Sequence, residues 1–305
     1  MAESIFERDG ESFLPTEHAR GPWSPQALHG GAPAALFTAA FERMQPGEDL
    51  RVGYINVAYL RPLVSAPMEL STRVVRPGRR VQELAGELHS GGELICRASA
   101  LRIAAVPEGL PSPEDPAAED PPADDTAAEN PPADDTAAED LPAGERPAEN
   151  PAAGPPMPSW AEPELPPPSA AREVSFALNS SDEPSFGATA MEMRWFGDPW
   201  SLGPGRVWMR LRMPLLPGEP ATALARVAAV ADFGNGVSAA LPFDRFLFIN
   251  ADLTIHLTRP PRGEWIGLDA RTHLHPGGAG LAESVLHDEH GPIGRAFQTL
   301  VVQAR

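Results

Sequence analysis

The sequence predicts an α+β protein made of two tandem copies of one unit. Each copy is a curved antiparallel sheet wrapped around a central helix, and a disordered acidic, proline-rich linker joins them. Three observations carry this. Proline and negative charge are concentrated in one tract, apolar residues run through a helical and then a strand periodicity twice over, and the two halves align on each other without a gap.

The tract sets the boundaries. The 305 residues include 37 prolines and carry a net charge of −18. Residues 107–170 hold 18 of those prolines and 16 acidic residues against one base, Arg146, so −15 of the −18 lies there. A ten-residue repeat runs inside it, AEDPPADDTA (118–127) followed by AENPPADDTA (128–137). Such a segment has almost nothing apolar to bury and cannot offset the entropy lost on ordering. Like charges and prolines keep it extended. It reads as a solvated linker or as an acidic interaction tail. The expected units are then 1–106, a linker at 107–170, and 171–305.

In the first half, His29-Gly30-Gly31 opens an apolar stretch from Ala32 to Met44, with Leu36, Phe37, Ala40 and Phe41 at helical spacing. Strand-like runs follow at Val52–Leu60, Met68–Arg76, Val81–His89 and Glu93–Ile103, with Gly78 and Gly91-Gly92 where turns are needed. The second half repeats the order. Val207 to Met213 alternates apolar and polar residues as a half-buried strand does, and Ala221 to Ala231 is an apolar helix. Strands follow at Leu253–Leu257, Trp265–His273, Gly280–His287 and Ile293–Gln303.

A constant offset of 198 superposes the halves. Arg61-Pro62 falls on Arg259-Pro260, Leu70 on Leu268, Arg73 on Arg271, and Leu88-His89 on Leu286-His287. Ile95, Arg97 and Ala98 fall on Ile293, Arg295 and Ala296, which makes nine identities in one register. That argues for an internal duplication. A helix apolar on most sides must be buried nearly all round, and a curved antiparallel sheet wrapped about it achieves this. Such a unit is a hotdog, and two in tandem form a double hotdog.

Composition excludes several classes. No apolar run reaches the ~20 residues of a membrane helix, and Met1 to Arg20 lacks a basic-then-apolar signal. One cysteine, Cys96, rules out an internal disulfide and a cysteine-rich metal site; it reads as a small core residue in a reducing, cytoplasmic protein. There is no basic excess to neutralise a nucleic acid. All 24 bases are Arg, which removes Lys as a catalytic amine. His273-x-His275 has the look of a metal pair but lacks a third ligand nearby, so no metal and no cofactor is expected. A GxSxG nucleophile elbow is absent, which argues against an α/β-hydrolase.

Taken in order, GPW (21–23), HGG (29–31), LRP (60–62), GRRV (78–81), ADFGNG (231–236), NADLTIHLTRPPRGEWIGLDA (250–270) and RAFQTLVV (295–302) resemble the acyl-CoA thioesterase II-like, double-hotdog thioesterases. The resemblance spans 10–105 and 190–305. It implies hydrolysis of an acyl-CoA thioester to free acid and coenzyme A, a homodimer, and a water held by three polar groups. Carried over, those groups are Asp232, Asn250 and Gln298; Asn250 stands where the best-known members have Thr, and an amide still donates and accepts.

The residues themselves leave each role open. Asp232 follows the apolar run Leu224–Ala231 and is either a desolvated general base, with nucleophilic attack as a variant, or the cap of the turn DFGNG. Gln298 shares a face with Leu300 and Val302, while Phe297 and Val301 make the other face equally apolar. A regular strand would point Asn250 away from the core, with Asp252 and Thr254; a bulge would reverse that. His29, Gly30 and Gly31 either bind substrate through backbone N–H groups or provide a tight helix entry. At the 198 offset, Asp232, Asn250 and Gln298 meet Ala34, Val52 and Ala100, so one site is expected, in the second half. Two other functions fit a hotdog: an acyl-CoA-binding scaffold without turnover, and, less well, an enoyl-CoA hydratase, for which the second helix lacks a His.

Overall fold

The computed structural model describes residues 3–24, 26–44, 50–105, 164–174 and 183–305. The repeat-bearing part of the tract, expected to be a disordered linker, lies outside the described residues. Its last residues do not: Pro168 is buried, and the indole of Trp208 donates to the Pro166 carbonyl at 2.7 Å.

The first half holds β1 (Phe6–Asp9), β2 (Ser12–Pro15), α1 (Gly31–Arg43), β3 (Leu50–Tyr59), β4 (Met68–Arg76), β5 (Val81–Ser90) and β6 (Glu93–Ala104). The second holds β7 (Arg172–Glu173), β8 (Met191–Phe196), β9 (Gly205–Leu211), α2 (Ala223–Ala231), a single turn α3 (Gly234–Val237), β10 (Phe246–Asn250), β11 (Asp252–Leu257), β12 (Ile266–Leu274), β13 (Gly280–Asp288) and β14 (Gly291–Ala304). All strands pair antiparallel in one sheet, in the order β1-β2-β4-β5-β6-β3-β11-β14-β13-β12-β9-β8-β7, with β10 on β14. The two halves therefore belong to one compact unit, with one apolar core.

The join between the halves is a strand pair. Ile55 lies opposite Ile255, and Asn56 opposite Thr254. Asn56 and Thr254 are each other's counterparts at the offset of 198, and Ile55 and Val57 pair with each other's counterparts, Ile255 and Leu253, so a pseudo-twofold axis passes through Asn56 and Thr254. The Asn56 amide donates to the Thr254 hydroxyl at 2.8 Å there. An antiparallel ladder is its own image under such a rotation, which is why a duplicated strand can pair with its copy.

The helices are buried and pack on each other. In α1, ten of 13 residues are buried, including Leu36, Phe37 and Phe41. Gly86 on β5 permits this approach, since a Cβ there would fall 2.8 Å from the Phe37 ring. The helix ends are tied together. Arg102 donates to the carbonyls of Phe41 and Met44 and so caps α1, while Glu42 accepts from the hydroxyl of Thr222, the N-cap of α2. Burial pushes the Glu42 carboxyl above its ordinary value, against the lowering effect of that hydroxyl.

One expectation needs correction. The constant offset holds through the four strands but not through the helices. Gly31 would fall on Ala229, yet α2 begins at Ala223 and ends at Ala231. Asp232 is thus the residue just past its helix, and its counterpart by position is Met44, just past α1, rather than Ala34.

Candidate active site

Asp232 is the C-cap of α2 and only 4% exposed. Its Oδ1 accepts from the Asn250 amide at 2.8 Å, the Tyr59 hydroxyl at 3.2 Å and the Gln298 amide at 3.4 Å. Its Oδ2 lies 3.1 Å from Nδ1 of His29. All three residues carried over from the resemblance meet here, and two of the three HGG residues join them.

Each arrives for a local reason. Asn250 reaches inward through a bulge. It pairs with Leu300, whereas Thr254 pairs with Phe297, so four steps on one strand answer three on the other. The extra residue falls at the break between β10 and β11, where the Ala251 N–H donates to the Thr299 carbonyl and its carbonyl accepts from Tyr59. This places Asn250 on the same side as the buried Leu253 and Ile255. Its amide nitrogen also donates to the Asp252 carbonyl at 3.2 Å, and two acceptors around one end identify that end as the NH2.

Gln298 takes the inward face of β14, with Ala296 and Leu300, and is 2% exposed. Both ends of its amide are held. The nitrogen donates to the Asp232 carbonyl at 3.0 Å, and the oxygen accepts from the Asn235 N–H at 2.9 Å. It grips Asp232 from behind rather than facing the cleft.

The loop before α1 supplies the opposite wall. His29 is sandwiched between Phe186 and Phe233, with ring centroids 4.9 and 4.2 Å away. Its Nδ1 is 3.1 Å from both Asp232 Oδ2 and the Gly31 N–H. One ring nitrogen serves one of these at a time: protonated it donates to the carboxylate, unprotonated it accepts from Gly31. Gly30 has to be small, because a Cβ would stand 2.8 Å from both Asp232 Oδ2 and the Tyr59 hydroxyl.

Tyr59, at the end of β3, is a site residue that sequence reasoning passed over. Two signals pointed to it: it precedes the LRP segment, and it shares the inward face with Ile55 and Val57. Burial, and next the charge of Asp232, hold its phenol well above the ordinary value, so it stays protonated and keeps an O–H to donate to these acceptors. The same two causes push the Cys96 thiol up to about 12, which leaves it an inert thiol and not a nucleophile.

These groups open on a cleft of about 610 Å³. Asp232, Asn250, Tyr59, His29 and Gly30 line it, and Gln298 does not. Its other walls are largely apolar, with Trp23, Leu28, Leu63, Phe243 and Ile249. Among the described residues no group of His, Cys, Asp and Glu could hold a metal ion.

Two family models match the chain. One describes an acyl-CoA thioesterase N-terminal domain and covers 19–103; the other describes an acyl-CoA thioesterase C-terminal domain and covers 113–302. The chain belongs to the acyl-CoA thioesterase family. It is an enzyme of thioester hydrolysis, with the motif-bearing segments of both halves inside the matched ranges. Solved structures resemble this thioesterase along nearly its whole length. A candidate thioesterase from Novosphingobium aromaticivorans is 19% identical, covers 98% of this chain and 99% of its own, and superposes with a TM-score of 0.62. A hot dog fold protein from Alicyclobacillus acidocaldarius is 16% identical over 98% and 95%, with a TM-score of 0.61. An acyl-CoA thioesterase II from Mycobacterium marinum is 14% identical over 100% and 94%, with a TM-score of 0.52. At these identities the likeness is one of hotdog fold. No curated protein sequence matched the thioesterase. No helix among its described residues is long and apolar enough to cross a membrane.

Proposed function

We propose that the protein hydrolyses an acyl-CoA thioester by attack of a water that Asp232 activates. One observation carries this reading: a nearly buried carboxylate lines the cleft with one oxygen surrounded by donors and the other left with capacity to accept. Oδ1 is occupied by Asn250, Tyr59 and Gln298. Among the described residues Oδ2 has one polar side-chain partner, His29, and keeps a lone pair for a water proton.

The steps follow from the positions. Water sits between Asp232 Oδ2 and the side-chain oxygen of Asn250, which accepts its second proton. Oδ2 takes one proton as the water oxygen bonds to the thioester carbonyl carbon. Negative charge develops on the carbonyl oxygen. The amino end of α1, at Gly30 and Gly31, offers the positive end of the backbone dipoles to it. The carbon–sulfur bond then breaks, and the proton held on Asp232 passes to the departing thiolate. Gln298 orients Asp232 throughout and does not touch the water.

In this reading each half is a hotdog whose sheet curls around its helix, and the site lies where the two meet. The test is release of free thiol from acyl-CoAs of short, medium and long chain by the purified full chain. Turnover with at least one length is expected. Tight binding of acyl-CoA with no thiol released would instead mark a binding scaffold.

A further inference from the structure

Asp232 belongs to the second half of the chain, yet the shortest route from it to the first half's sheet is one side chain, Tyr59. The phenol stands 3.0 Å from the Gly30 carbonyl and 3.2 Å from Asp232 Oδ1. It has one proton for two acceptors. It is anchored on both sides of the join: its own N–H donates to the Ala251 carbonyl at 2.9 Å, and it pairs in register with Cys96 on β6. At the offset of 198 its counterpart is Leu257, so the second half has no equivalent hydroxyl.

We infer that Tyr59 is a positioning residue for the hydrolysis. Its O–H holds Asp232 Oδ1 and the Gly30 carbonyl together, which turns Oδ2 toward the water and keeps the amino end of α1 at the place where the oxyanion forms. This rests on the reading of Asp232 given above. It makes a specific claim about architecture: the first half supplies the clamp, and the second supplies the carboxylate.

The role follows from geometry. Asn250 and Gln298 fix Asp232 from its own half, but neither reaches Gly30. Among the described residues two side chains join the carboxylate to the HGG loop: His29 beside Oδ2, and the Tyr59 hydroxyl, which links Oδ1 to the Gly30 carbonyl. Without that hydroxyl Oδ1 loses its link to the Gly30 carbonyl and only the His29 contact at Oδ2 joins the two walls, while the aromatic ring continues to fill the same space.

The experiment is steady-state hydrolysis of an acyl-CoA by the full chain and by Tyr59→Phe, with thermal melting of both. The expected result is a kcat lower by roughly tenfold to a hundredfold, KM within about twofold, and an unchanged melting temperature. Replacing Tyr59 with 4-aminophenylalanine restores a donor at the ring's end and should recover much of the rate. A kcat within about twofold of the parent overturns the inference. So does a loss carried by KM, or one that accompanies a lower melting temperature and that the amino analogue does not recover. If the parent chain itself releases no thiol, the fault lies in the reading of Asp232 and not in Tyr59.

Discussion

The two halves share a strand register and differ in what stands on it. Ala100 and Gln298 occupy matching places on β6 and β14, and both are buried; the first is surrounded by Ile55 and Leu84 in the ladder, the second holds Asp232. Val52 matches Asn250 at the same offset. Yet the first half is not a blank copy. It brings His29, Gly30 and Tyr59 to the carboxylate of the second. Duplication thus supplied a self-complementary join through Asn56 and Thr254, and each half then kept a different share of one site.

That contrast can be tested by changing one side at a time. Beyond the carboxylate itself, the largest effect is expected for Gln298→Ala, which frees Asp232 from behind and strands the buried Asn235 N–H. It should lower kcat by about a hundredfold and also cost about 1–3 kcal/mol of stability, read from denaturant melts. Gly30→Ala comes next. Gly30 has φ −62° and ψ −26°, helical values that Ala adopts freely, so the backbone is not strained. The new methyl would press on Asp232 Oδ2 and the Tyr59 hydroxyl, and kcat should fall by about tenfold or more with melting unchanged. The smallest effect on rate is expected for Ala100→Gln, which writes the second half's residue into the first. A buried amide among Ile55 and Leu84 finds no partner and should destabilise the fold by about 1–3 kcal/mol. The folded fraction should retain its rate, since the place of Asp232 is taken by Met44 in the first half.

Much of this was legible in the sequence, and the gaps have physical causes. β4 runs from Met68 to Arg76 as its alternation predicts, and β3, β5, β6, β12, β13 and β14 lie within two residues of expectation. β8 was passed over because its alternation, Met191, Met193 and Trp195 against Glu192 and Arg194, is only five residues long. β1 and β2 are four residues each, too short to show a period. The inward turn of Asn250 rests on a one-residue bulge, which strict alternation cannot reveal. The helices broke the 198 register because the connection from α2 to its first strand, which includes α3, is longer than the connection from α1 to β3. Tyr59 carried the right period but no polar neighbour in sequence; its partners, Gly30 and Asp232, are 29 and 173 residues away. Only the fold brings them within hydrogen-bonding range.

The central claim is that one carboxylate, held by groups from both halves, activates the water. Thiol release by Asp232→Asn tests it most directly, because the amide keeps the size and the buried position while removing the proton acceptor. The account predicts a kcat lower by about a thousandfold or more, with a melting temperature and acyl-CoA binding close to the parent's. A variant that hydrolyses acyl-CoA at the parent's rate would contradict it.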